Sequence, residues 1–313
     1  MNILHILNGD ATLQLFKQSG LPGDHIVWRE VLSDGTLNAE VASEGFWQLR
    51  VNFFEKAFKV KEQLYREYTI HEFDKIVTYP NYHEVVLWYE YDLFCQVNYL
   101  AIHHWLYQQK AYEQTNFSFV CVGNVDWAKK LMGLGEFAPD QYQALFQKRI
   151  SLTAVDFEYL SSVWQAYASP TPDTLWPFIH KPKIKFHYLP NALQAHLRRF
   201  PSTKNGLNEI ENYLLFMGTA RLPNRHALIK KALHRHNWYG FGDLQYLLYL
   251  ERIDPLFESF EPTKLNDLGV SILNRKLDFL TIKPEACYLG GACNLDYRWD
   301  PDKNQLIPEQ EGS

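Results

Sequence analysis

Cysteines, methionines and long apolar runs are what this 313-residue chain has least of: four Cys, three Met, and no run near membrane-spanning length. A spanning helix needs roughly 18 consecutive apolar residues, so no membrane span is expected. Cys95, Cys121, Cys287 and Cys293 lie in apolar contexts, and no two form a Cys-x-x-Cys pair. That argues against a zinc site and for reduced core thiols. The opening MNILHILNGD has neither a basic n-region nor a small-residue cleavage site. A cytoplasmic chain without a signal peptide is therefore the expectation. A Walker loop, a Gly-x-Gly-x-x-Gly fingerprint, a nucleophile elbow and a His-Glu-x-x-His helix are also missing. Their absence weighs against P-loop NTPases, the usual dinucleotide oxidoreductases, α/β-hydrolases and zincins.

Aromatics, by contrast, make up 15% of the residues, which points first to a bulky core. The net charge of −5 conceals an uneven distribution. Residues 1–150 carry 13 Lys/Arg against 18 Asp/Glu, whereas 181–236 hold 11 Lys/Arg against Glu209 and Glu211 alone. Such blocks predict one basic face on an otherwise near-neutral protein.

In the N-terminal half, apolar runs alternate with helical patterns. Strands are expected at 3–7, 25–28, 85–89 and 117–122, with helices following Asp10, over 44–67 and over 93–109. Near-continuous apolar strands between helices predict a mostly parallel sheet covered on both faces, an α/β domain. Ligands of such sheets bind beyond the carboxyl ends of the strands. Three of those ends carry acids: Asp10, Glu30, and the pair Glu90 and Asp92. Carboxylates converging there would suit Mg or Mn, with phosphate oxygens completing the shell. Asp10, Glu90 and Asp92 are the candidate metal ligands; Glu90, Asp92, Asp10, Glu30 and His5 are the candidate catalytic groups. Blander roles compete. Asp10 and Asp92 are good helix caps, Glu90 has Arg29 and Arg50 as ion-pair partners to hand, and His5 inside a strand suits a core histidine. Gln96 shares a helix face with Asp92.

HILNGDA (5–11), VWREVLSDG (27–35) and LWYEYDLFCQ (87–96) together resemble the three signatures of a bacterial family catalogued as domain of unknown function 1835. The matching positions are His5, Asn8, Gly9, Asp10, Trp28, Glu30, Gly35, Glu90, Asp92 and Gln96, while Thr36 stands where the family usually has proline. The resemblance covers about the first 125 residues. It adds Asn8, Gly9, Trp28, Arg29 and Gln96 as candidate ligand contacts, and it names no activity.

Beyond residues 1–125 the pattern predicts a helical connector at 126–180 and a mainly α, winged-helix-like domain at 181–313 that closes in a hairpin around Asp300–Asn304. Helices are expected over 189–200, from Asn208 (an Asn-x-x-Glu capping box), from Pro223-Asn224 and from Gly240-Phe-Gly-Asp243 through Leu250. Gly206-Leu207, Gly242-Asp243, Leu289-Gly290-Gly291 and Arg298-Trp299-Asp300 resemble stretches of the companion domain often found behind that family. A winged helix in a basic segment invites nucleic acid, with Arg225, Lys230, Lys231 and Arg235 as contacts. Its would-be recognition helix, DLQYLLYLERID (243–254), sets a single Arg against Asp243, Glu251 and Asp254. Such a helix would repel phosphates, which predicts that it is packed instead. The leading expectation is a phosphate-bearing ligand, nucleotide or nucleic acid, at the acidic sheet edge. The alternatives are a nucleic-acid-binding regulator and a dimeric scaffold.

Overall fold

Each of the four apolar runs forms a strand, because a run buried on both faces leaves the backbone only neighbouring strands as hydrogen-bond partners. The computed structural model describes residues 2–125, 128–235 and 238–309. The expected start of the connector at 126 lies outside them. In chain order come β1 (Ile3–Asn8), α1 (Asp10–Gln18), β2 (Asp24–Trp28), α2 (Glu44–Phe58), β3 (Glu84–Glu90), α3 (Leu93–Gln108), β4 (Asn116–Val122) and β5 (Ile150–Ser151). The sheet order is β2-β1-β3-β4-β5. All neighbours are parallel except the short edge strand β5, which runs antiparallel to β4.

Side-chain alternation along the strands divides the core. Ile3, Leu7, Val27, Val86, Trp88 and Val122 face α1 and the segment 134–146, whereas Leu4, Ile6, Ile26, Leu87, Tyr89 and Phe119 face α3. From β1 the chain winds outward to β2 and then returns to β3 on the other side. The crevice between the carboxyl ends of β1 and β3 is therefore a topological switch point, where sheets of this order take ligands. One helix differs from expectation. α2 stops at Phe58, not near 67, because Lys59 turns into the left-handed region (φ 58°) and the Val60 amide closes back on Phe54 O. The chain resumes as short helical turns over 62–81.

α4 (Ala154–Tyr167) and α5 (Leu189–Leu197) pack on α3. α6 (Glu209–Gly218), α7 (Arg225–Arg235) and α8 (Asp243–Arg252) follow. Then comes the antiparallel hairpin of β6 (Phe257–Phe260) and β7 (Thr263–Leu265), which the sequence reading did not anticipate. Leu222, between α6 and α7, exchanges hydrogen bonds with Thr263 of β7. The expected terminal hairpin forms from Tyr297–Asp300 and Gln305–Pro308.

The core on the α3 face continues into α4–α8. A buried polar junction reinforces it. Arg199 donates to Ser33 O (2.6 Å) and Tyr249 Oη (2.9 Å) and pairs with Asp34, to which Gln245 also donates. Tyr249 and Gln245 belong to α8, so the would-be recognition helix is anchored on the turn at 32–34. Among the described residues, no helix is long and apolar enough to cross a membrane.

Candidate site at the carboxyl ends of β1 and β3

Four carboxylates delivered to one sheet edge were expected to meet within about 4–6 Å, close enough for mutual repulsion to raise a pKa. The structure separates them. Asp10 opens α1 and lies mostly exposed, held by Arg29 through contacts of 2.7–3.1 Å. Gly9, not Asp10, occupies the N-cap position of α1, at φ 90°, and no side chain caps that end. Glu30 turns away from the edge into a buried pair with Arg50 (2.9 Å) and also accepts from Tyr65 Oη. Arg50 spends its remaining donors on Asp34 O and Val31 O. Asp10 and Glu30 are thereby removed from the metal and catalytic set.

Glu90 and Asp92 do meet, in company with Cys95: one ligand atom from each lies within 4.8 Å of the others. β3 ends with Glu90 turned to the face shared by Trp88 and Leu134, and its Oε1 accepts the Leu134 amide (2.9 Å). Asp92 caps α3, its Oδ1 accepting the Cys95 amide at 2.9 Å. Neither carboxylate has a Lys, Arg or His at ion-pair distance among the described residues, so the expected alternative of Glu90 with Arg29 or Arg50 does not occur. Burial, and then the Asp92 charge, push the Glu90 carboxyl well above the usual range. Burial raises Asp92 too, against the opposing hydrogen bond from the Cys95 amide. Asp92 is buried and Glu90 half-buried, so two ionised carboxylates in contact here repel strongly, which favours sharing one proton or taking up a cation. Burial also keeps the Cys95 thiol protonated, its pKa raised well above the ordinary thiol value.

Polar groups around the pair are tied to one another. Asn8 Nδ2 donates to Cys95 Sγ (2.9 Å) and Asn8 Oδ1 accepts from Asn98, which also donates to Glu30 O. Gln96 Nε2 donates to Glu90 O (2.6 Å), locking the strand end to the first turn of α3. The roof comes from far along the chain. Leu93 and Phe94 amides donate to Trp238 O (2.9 Å) and Tyr239 O (3.1 Å). Gly240 lies at φ 65° so close over Asp92 that a Cβ there would overlap its carboxylate. The free amides of the α3 N-terminus are thus satisfied by the C-terminal half.

The other sequence candidates lie elsewhere. His5 sits midway along β1, accepting from Trp88 Nε1 (3.0 Å) while its Nε2 reaches Pro22 O (3.2 Å). Burial lowers its pKa to about 4, as for a neutral core histidine. Trp28 packs against Trp47 and Phe73. Arg225 pairs with Asp254 and lies over Phe260, Arg235 lies over Tyr213, and Lys230 and Lys231 are exposed. Sequence reasoning missed Cys95, Asn98, Gly240 and the Leu134 amide. The spacing Asp92-x-x-Cys95-x-x-Asn98 was the available signal for the first two, since it lines one face of a helix; nothing local announced the others. No protein-family model matches this chain, and no curated protein matches it either.

Proposed function

We propose that the crevice between β1 and β3 binds a phosphate-bearing ligand, nucleotide or nucleic acid, together with a divalent cation held by Glu90 and Asp92. The observation that carries this reading is a buried Asp92 in contact with a half-buried Glu90, with no cationic side chain among the described residues to neutralise them. A hard cation relieves that repulsion, and phosphate oxygens complete its shell. With Cys95 beside the pair, manganese suits the donor set better than magnesium, which avoids sulfur. The N-terminus of α1 adds support: Gly9 leaves it without a side-chain cap, and a Cβ at Gly9 would meet nothing within 4 Å. Open helix amides of this kind receive phosphate. Metal-dependent phosphoryl chemistry is the reaction class that fits such a site. We read the first 125 residues as related to domain of unknown function 1835, on the three signatures they carry.

The order α6, Leu222, α7, α8, β6, β7, with Leu222 bonded to β7, supports reading that region as a winged helix. The anchoring of α8 on the turn at 32–34 argues for a packing role, leaving Lys230 and Lys231 of α7 for any contact with a nucleic-acid backbone. Manganese titration monitored by electron paramagnetic resonance tests the main reading. Wild type is expected to take up one ion per chain, and Glu90→Gln to weaken uptake at least tenfold. No uptake by wild type removes the proposal.

A further inference from the structure

Beyond the carboxylate pair, the described residues contain an open cleft of about 580 Å³. One wall is a stripe of α5, Asn191, Gln194 and Ala195, continued one turn later by Arg198. The other wall is Glu209 and Tyr213, one turn apart on α6. Arg235, the last residue of α7, and the segment Trp238–Tyr239 close the end. Its chemistry is mixed in a particular way: two guanidiniums, three aromatic rings, two side-chain amides and one carboxylate.

The guanidiniums are only lightly engaged. Arg198 stands 3.7 Å from Glu209, and Arg235 lies over the Tyr213 ring with no carboxylate partner among the described residues. Glu209 is partly committed, accepting from Tyr239 Oη at 2.6 Å. The surrounding segment 181–236 carries 11 Lys/Arg against two acids. An anion is therefore favoured electrostatically, and guanidiniums bind phosphate through paired donors. Bare phosphate is much smaller than the cleft, whose size falls in the range of sites for whole small molecules. Aromatic rings beside basic groups are the arrangement that stacks a base while holding its phosphate.

We propose that this cleft is a nucleotide site, with phosphate at Arg198 and Arg235, the base against Tyr213 and Trp238, and Glu209 facing the sugar hydroxyls. It stands without any cation at Glu90 and Asp92, although the two places adjoin. Trp238 and Tyr239 line the end of the cleft, and their carbonyls accept from the Leu93 and Phe94 amides directly after Asp92.

Calorimetric titration in low salt with EDTA tests the assignment, using AMP, inorganic phosphate and a 5′-phosphorylated oligoadenylate. AMP or the oligonucleotide is expected to bind at least tenfold more tightly than inorganic phosphate. Tighter binding of AMP identifies a free mononucleotide as the source, and tighter binding of the oligonucleotide identifies a strand end. The double variant Arg198→Ala, Arg235→Ala should lose at least tenfold in nucleotide affinity while taking up manganese as wild type does. Gln194→Glu, which adds a repelling charge to the wall and gives up only an exposed hydrogen bond to Asn304, should weaken binding similarly and covers the event that the double variant misfolds. The proposal is overturned if neither nucleotide binds, if phosphate alone binds as tightly, or if folded variants bind as wild type.

Discussion

Replacing Glu90 by glutamine should stabilise the cation-free protein, and increasingly so as pH rises. The amide keeps the shape of the side chain and the acceptor for the Leu134 amide, and its Nε2 can donate toward Asp92. What it removes is a carboxyl whose pKa is carried from 4.5 to about 8, first by burial and then by the Asp92 charge. Between those values the native state holds a proton that the unfolded chain has released. Native protein thus binds more protons, and wild-type stability falls as pH climbs through the window. One pH unit across the window corresponds to about 1.4 kcal/mol. Sharing the proton with Asp92 spreads the effect, so Glu90→Gln should gain on wild type by roughly 2–4 kcal/mol between pH 5 and pH 9. Urea denaturation with EDTA at pH 5, 7 and 9 measures this. Manganese should restore the wild type selectively. A difference between the two proteins that is the same at every pH would refute the reasoning.

Three further outcomes are expected. Arg50→Met strands Glu30 in the core without its cation and should cost about 3–5 kcal/mol in chemical denaturation, because the pair has no water to fall back on. Gly240→Ala places a Cβ against Asp92 at a left-handed backbone position; it should cost at least about 1–2 kcal/mol and lower the thermal midpoint. His5 is kept neutral, so as pH falls from 6.5 toward 4 the unfolded chain takes up a proton that the native state refuses, and stability is lost across that window. His5→Gln, which can still accept from Trp88 and donate to Pro22 O, should flatten that acid slope in denaturation measured from pH 7 to 4.

The sequence by itself determined the four parallel strands of the sheet, though not its short edge strand β5, together with the mostly parallel α/β architecture and the cap at Asp92, since apolar runs and capping residues act within a few neighbours. It also marked 243–254 as too acidic and too apolar for a DNA groove, and in the structure that helix lies on the turn at 32–34. Which carboxylates share a site was a different kind of question. Glu30 lies at a strand end just as Glu90 does, yet Arg50 and Tyr65, reached only through the packing of α2 and the turns after it, draw it into the core. Asp10 finds Arg29 because β1 and β2 are neighbours in register. Among the described residues, Glu90 and Asp92 are left facing each other because the segments that roof them, Leu134 and Trp238–Gly240, bring backbone and no positive charge. A strand end is written in its own residues. The charge that meets it there is set by whatever distant segment packs across it, and only the tertiary structure decided that.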